Sequence, residues 1–286
     1  MIIKMKNSVL TIILMLAWAT GAQAQILSVT SIERLNIKSE KGQVMQAVAV
    51  SPQGDYVLLS SDTRQGLVKW DLATGKATKL TDKEGTGSDV RISQDGQQVI
   101  YSETSFNNKR RRQSVKSIDL KTGKHKTLVG PSRGAQGYDN GTGDQPVLTH
   151  RHLKLYMTRN GQTTLLAPNG PDEHYIWASL SPSASRVLYY VSGHGAFVCD
   201  LDGSHVIEMG NLTAPRWWDD ETIVGMDEVD NGYVIVASKV VARTLDGRTQ
   251  VLTGDDVVAT YPLPSAQSGK IIFSTPDGHI HLIKID

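Results

Sequence analysis

"AVAVSPQGDYVLLSS" (Ala47–Ser61) sets a Ser-Pro-x-Gly turn between two short apolar runs, and "DVRISQDGQQVIYSE" (Asp89–Glu103) repeats the arrangement. The first copy continues through a loop into "GLVKWDLATGKATKLT", and the second through a longer loop, "ETSFNNKRRRQS", into "SVKSIDLKTGKHKTLV". Ser51 and Ser93 lie 42 positions apart, Asp71 and Asp119 lie 48 apart. Each unit reads as four short β segments separated by turns. Gly54, Gly75, Gly96 and Gly123 fall where tight hairpins favour positive φ.

Fainter copies run to the end of the chain. "YIWASLSPSASRVLYYVSGHGAFVCDLDGSHVIEM" restores Ser181-Pro182 and an Asp-Leu-Asp-Gly turn, and "PRWWDDETIVGM" with "KVVARTLDGRTQVLT" repeats Leu245-Asp246-Gly247. "DQPVLTHRHLKLYMTRNGQTTLLAP" lacks the first turn but keeps Asn160-Gly161 for the second. The last copy, "YPLPSAQSGKIIFSTPDGHIHLIKID", stops after three strands, and "TSIERLNI" (Thr30–Ile37) supplies a candidate fourth. Six units of about 44 residues match the period of four-stranded propeller blades. The sequence therefore predicts an all-β protein, a six-bladed β-propeller closed by an N-terminal strand. A ring of this kind leaves no long sheet edge exposed. A two-sheet sandwich is the structural alternative, but it gives no reason for turns recurring at this period.

The "SPQG", "SQDG", "DLATGK" and "DLKTGK" elements resemble the WD40-like repeats of the propeller in the periplasmic TolB family, across essentially the whole of residues 25–286. "KWDL" (Lys69–Leu72) holds a Trp-Asp pair without a partnering Gly-His. TolB proteins carry an α/β domain ahead of the propeller, for which this chain has no room. The resemblance implies a propeller that binds a cell-envelope protein or peptide.

Residues 1–24 read as a secretory signal peptide: Lys4 and Lys6, an apolar run from Val9 to about Thr20, then Ala22-Gln23-Ala24. Cleavage after Ala24 leaves Gln25 as the first mature residue, with no membrane span and a periplasmic or otherwise exported location. Cys199 is the one cysteine, so no intramolecular disulfide holds the fold. Lys plus Arg number 30 against 29 Asp plus Glu, a balance that excludes the strongly basic footprint of a nucleic-acid binder. A monomer is expected.

No catalytic constellation emerges. A phosphate-cradling Gly-x-x-x-x-Gly-Lys-Ser/Thr loop and a His-Glu-x-x-His helix are both missing from the sequence. Cys199, in "AFVCDL", reads as a buried thiol in a third strand. His150-x-His152 and His279-x-His281 each place two imidazoles on one face of a strand, which with His174 or His194 would make a metal site. That is the enzymatic alternative, a metal-dependent lyase or hydrolase acting on carbohydrate. Against it, His279 and His281 follow the Pro276-Asp277-Gly278 turn, where they are expected to lie along a blade rather than reach the channel mouth. "GMDEVDNGYVIV" fails the spacing of a calcium loop and reads as an extended hairpin turning at Asn231-Gly232. The leading expectation has no cofactor, no metal and no catalytic residue. Its docking face is the set of loops joining second to third strands and successive blades, with Arg110, Arg111, Arg112, Arg133, Tyr138, His174, Trp177 and Trp217 as binding residues. The competing reading of Trp217 and Trp218 is packing between blades.

Overall fold

The computed structural model describes residues 25–37, 44–133 and 146–286. β1 (Val29–Arg34) comes first. The first blade is β2 (Met45–Val50), β3 (Tyr56–Ser61), β4 (Leu67–Asp71) and β5 (Ala77–Thr81), hydrogen-bonded in that order. The second is β6 (Arg91–Ile92), β7 (Gln98–Asn107), β8 (Arg110–Asp119) and β9 (His125–Ser132). The third has β10 (Val147–Arg151), β11 (Lys154–Arg159) and β12 (Gln162–Leu166) among the described residues, with Asn160-Gly161 joining β11 to β12. The fourth is β13 (Tyr175–Leu180), β14 (Arg186–Val191), β15 (Gly195–Asp200) and β16 (Ile207–Gly210). The fifth is β17 (Thr213–Trp217), β18 (Thr222–Asp230), β19 (Ile235–Thr244) and β20 (Thr249–Val251). In the sixth, β21 (Thr260–Ser265), β22 (Lys270–Ser274) and β23 (Ile280–Ile285) are completed by β1, which pairs antiparallel with β23 from Val29↔Ile285 to Arg34↔His281. The six-bladed ring and its N-terminal closure match the sequence expectation.

The recurring residues have a local reason to recur. Ser51 Oγ accepts hydrogen bonds from the Asp55 and Tyr56 N–H groups at 3.0 and 3.2 Å, Ser93 Oγ accepts from Gln98 N–H at 2.9 Å, and Ser181 Oγ accepts from Ser185 and Arg186 N–H at 3.2 Å each. One hydroxyl thus satisfies the turn donors that the ladder leaves over. At the other turn Asp71 and Asp119 each accept from the N–H three residues on, Thr74 and Thr122, at 2.8 Å. Gly75 and Gly123 follow at φ +67° and +68°, a region open to glycine at no steric cost.

The core lies between blades. Every residue of β3 is buried, and alternation sends Val57 and Leu59 against Ile272 and Leu282 of the sixth blade while Tyr56 and Leu58 pack against Val99, Tyr101 and Ile118 of the second. A strand buried on both faces needs a neighbour on each side, so one blade cannot stand alone. Tyr56 also donates from its hydroxyl to the Gly96 carbonyl at 2.9 Å, tying the first blade to a turn of the second.

Candidate functional site

The antiparallel order puts the second-to-third-strand turns and the blade-to-blade connections at one end of the ring. Backbone hydrogen bonds join the two kinds of loop there: Gly87 N–H to Arg64 C=O at 3.1 Å, Tyr175 N–H to Leu153 C=O at 2.8 Å and Ser192 N–H to His174 C=O at 3.0 Å. Two blades extend well beyond this rim. β7 and β8 pair out to Asn107↔Arg110, so "ETSFNNKRRRQS" is not the loop expected from sequence but the end of a hairpin of two ten-residue strands. Asn108 and Lys109 turn it at φ +47° and +60°, the two left-handed central residues of a two-residue hairpin loop, with Asn108 in its favoured first place and Lys109 where Gly is usual. β18 and β19 form the second long hairpin, turning after Asp230 with Gly232 at φ +85°, as the sequence suggested.

Of the docking residues expected from sequence, Arg110 and Arg111 are exposed at the first hairpin's tip and Arg112 is half-buried below them. Arg133 is exposed immediately after β9, at the same end, and His174 is exposed in the connection between the third and fourth blades. Tyr138 lies outside the described residues. Trp177 is half-buried in β13, its ring edge-on to Tyr190 at 5.2 Å between centroids. Trp217 is at the far end of β17, away from the rim; its indole N–H points at the Ser179 carbonyl, 3.3 Å away, between the fifth and fourth blades. Trp218 packs against the core between the fifth and sixth blades.

The innermost strands carry a feature that no residue spacing announced. Asp89, Trp177, Ala214 and Tyr261 each precede by four positions the residue that opens the following turn, and they have φ of +50°, +51°, +48° and +50°. In β13, β17 and β21 the ladder register shifts there, between Ile176 and Ser179, Thr213 and Arg216, and Thr260 and Leu263. A bulge turns one side chain out of its usual alternation, and a left-handed Trp or Tyr is an outlier that surrounding structure must hold. Two of these residues, Trp177 and Tyr261, meet Met226, Glu228, Asp230, Tyr233, Val234 and Ile235 around a cleft of about 300 Å³ at the channel mouth.

Deeper in the ring, charges from facing blades act on one another. Burial pushes the Arg216 guanidinium down from its ordinary pKa, with Asp89 opposing the shift and Arg91 reinforcing it. Asp89 in turn lies 3.4 Å from Arg91 Nε. His150 is held below the usual histidine value by burial and by Arg91, and its Nε2 is buried without a hydrogen-bond partner among the described residues.

The histidines do not gather. His152 sits in the left-handed turn between β10 and β11, while His194 lies 3.8 Å from Glu173. The Pro276-Asp277-Gly278 turn joins β22 to β23, a second strand to a third, so His279 is at the rim and not partway along a blade as expected; the closing strand takes the fourth place and leaves this turn at the channel-mouth end. His279 Nε2 is 3.2 Å from the Asp277 carboxylate, and His281 stacks on Phe273 at 4.9 Å. Burial, then Arg34 and His279, push the His281 pKa down. Among the described residues no group of three or more His, Cys, Asp or Glu side chains is placed to hold a metal. Cys199 is buried in β15, a third strand as expected, with its thiol pushed up to about 12 by burial and by Asp200 and Asp202.

No protein-family model matches the chain, and no curated protein matches it. Solved structures do. A putative TolB from Agrobacterium tumefaciens superposes with a TM-score of 0.59 at 16% identity, covering 91% of this chain and 99% of that one. An oligogalacturonate lyase in complex with manganese gives 0.51 at 13% identity, covering 83% and 76%. The tricorn protease gives 0.55 at 15% identity, with 85% of this chain matched to 26% of that one. The fold is a TolB-like, WD40-like propeller.

Proposed function

We propose that this chain is an exported, non-catalytic propeller whose channel-mouth face binds a protein or peptide of the cell envelope. The observation that carries the reading is the pair of hairpins standing beyond the rim, whose apolar side chains are left in solvent: Phe106 is 62% exposed on one, Tyr233 95% on the other. Exposed aromatic rings beside a concave, aromatic-lined mouth are the raw material of interface anchors. Export to the periplasm is proposed on the leader-like residues 1–24 alone. Similarity to a putative TolB adds a fold in which such a face exists. The metal-dependent alternative has no ligand set among the described residues.

The test is site-specific photocrosslinking in cells. A crosslinking residue replacing Phe106 or Tyr233 should give discrete adducts, and one replacing Gln53, in a turn at the opposite end of the ring, should give none. Equal adducts from all three positions, or none from any, would remove the proposal.

A further inference from the structure

The cleft beside the fifth blade has a chemistry that narrows the partner. β18 places Met226, Glu228 and Asp230 at alternate positions, and all three line the cleft with the rings of Trp177, Tyr233 and Tyr261. Among the described residues neither carboxylate has a cationic partner: Glu228 makes no ion pair or side-chain hydrogen bond, and the Asp230 carboxylate accepts only the Gly232 N–H, at 2.7 Å. By contrast the nearby Lys239 is neutralised by Asp255 at 2.5 Å. The pairing of β17 with β18 ends at Thr213↔Met226, so Asp227–Asp230 runs on past its inner neighbour with one edge unladdered.

These features suit one occupant. Aromatic faces attract a cation through their quadrupole, and the half-buried Glu228 carboxylate with the exposed Asp230 beyond it completes the charge complement. A free strand edge accepts an extended backbone, whose alternate side chains enter the cleft. We propose that the cleft recognises a Lys or Arg side chain presented by an extended segment of the partner protein. The inference rests on the channel-mouth face being the docking face.

The probes are two blocked pentapeptides, Ac-Ser-Val-Arg-Val-Ser-NH2 and its Glu counterpart, titrated calorimetrically into the protein beginning at Gln25. The Arg peptide should bind saturably, about tenfold or more tighter than the Glu peptide, and weaken as salt is raised. Glu228→Gln with Asp230→Asn should lose about tenfold in affinity, and so should Tyr233→Ala, a change at a side chain too exposed to affect folding. Glu208→Gln, an exposed acid on β16, should change nothing. Equal binding of the two peptides, no saturable binding of the Arg peptide, or undiminished affinity in the Glu228→Gln/Asp230→Asn variant would overturn the proposal. So would a dimer in sedimentation that Arg110→Glu with Arg111→Glu dissolves, since the occupant would then be a second copy's basic hairpin. Photocrosslinks that persist in the Glu228→Gln/Asp230→Asn variant would keep the docking face while removing the cationic occupant, which separates failure of this inference from failure of the broader one.

Discussion

Replacing Leu27 by Ala tests whether the N-terminal segment holds the ring closed or merely lies on it. Leu27 is 7% exposed and belongs to the core between the fifth and sixth blades, with Val240, Ala242, Leu252, Ile271 and Ile283. Its backbone is held as firmly as its side chain. Gln250 of β20 accepts from the Ile26 and Leu27 N–H groups at 2.6 and 2.8 Å and donates to the Leu27 carbonyl at 2.8 Å. With those bonds fixing the chain, the pocket left by Ala cannot collapse freely. A buried Leu→Ala change of this kind costs about 3 kcal/mol. At roughly 2–4 °C per kcal/mol for a chain of this size, the melting temperature should fall by roughly 6–12 °C. Ile32→Ala is the internal control, five residues further on in β1 but 42% exposed, and should cost less than about 1 kcal/mol. Calorimetric melts of the two variants beside the parent decide the matter. Equal, small losses would show that the N-terminal segment is decoration, and the closure argument would fall.

Three further outcomes follow from the same contacts. Gln250→Ala should destabilise by about 1–3 kcal/mol in urea titrations, because it strands the Ile26 and Leu27 N–H donors at a half-buried site; no loss would mean water substitutes fully. Asp71 is held below the usual carboxylate range by the Thr74 hydroxyl and N–H, and Asp119 by the Thr122 N–H and hydroxyl, so the stability they add is complete above about pH 4 and disappears as pH falls through the lowered native values. Melting temperature should therefore drop on acidification, and less steeply in Asp71→Asn with Asp119→Asn; an unchanged slope would contradict the assignment. Cys199 should resist a thiol reagent in the native state at pH 8 and react fully in denaturant, and rapid native labelling would contradict its burial.

The blades were legible because their signals are local. Ser51, Ser93 and Ser181 act on N–H groups four or five residues away, and Asp71 and Asp119 on groups two or three away, so the period survives in the sequence even where the apolar pattern drifts. The closing strand was legible by subtraction, as the last unit lacks a fourth segment and the first residues after the leader-like run supply one. The Arg hairpin misled because Asn107-Asn108-Lys109-Arg110 contains no Gly, and its outer half is polar except for Phe106. A ladder standing in solvent has no apolar alternation to announce it. The cleft was illegible for a different reason. Trp177, Glu228 and Tyr261 come from three blades, and their convergence depends on bulges set by backbone conformation. Gln250 reaches 223 residues back to Leu27, which no window of sequence can reveal.

The near-zero net charge hides a division across the channel mouth. Lys109, Arg110, Arg111 and Arg112 crowd one hairpin, where the neighbouring Glu103 is already taken by Lys116 at 2.6 Å. Asp227, Glu228 and Asp230 crowd the other, three blades away in a ring of six and therefore opposite. Fields of opposite sign on facing sides of one mouth cancel in the net charge and add in the dipole. A partner with its own charge separation meets such a face in one preferred orientation, and the gain falls chiefly on the encounter rate. The exposed rings of Phe106 and Tyr233 then act after orientation is set, because apolar contact has no direction of its own. The two roles separate experimentally: raising the salt concentration should slow association and leave dissociation nearly unchanged, while Tyr233→Ala should do the reverse.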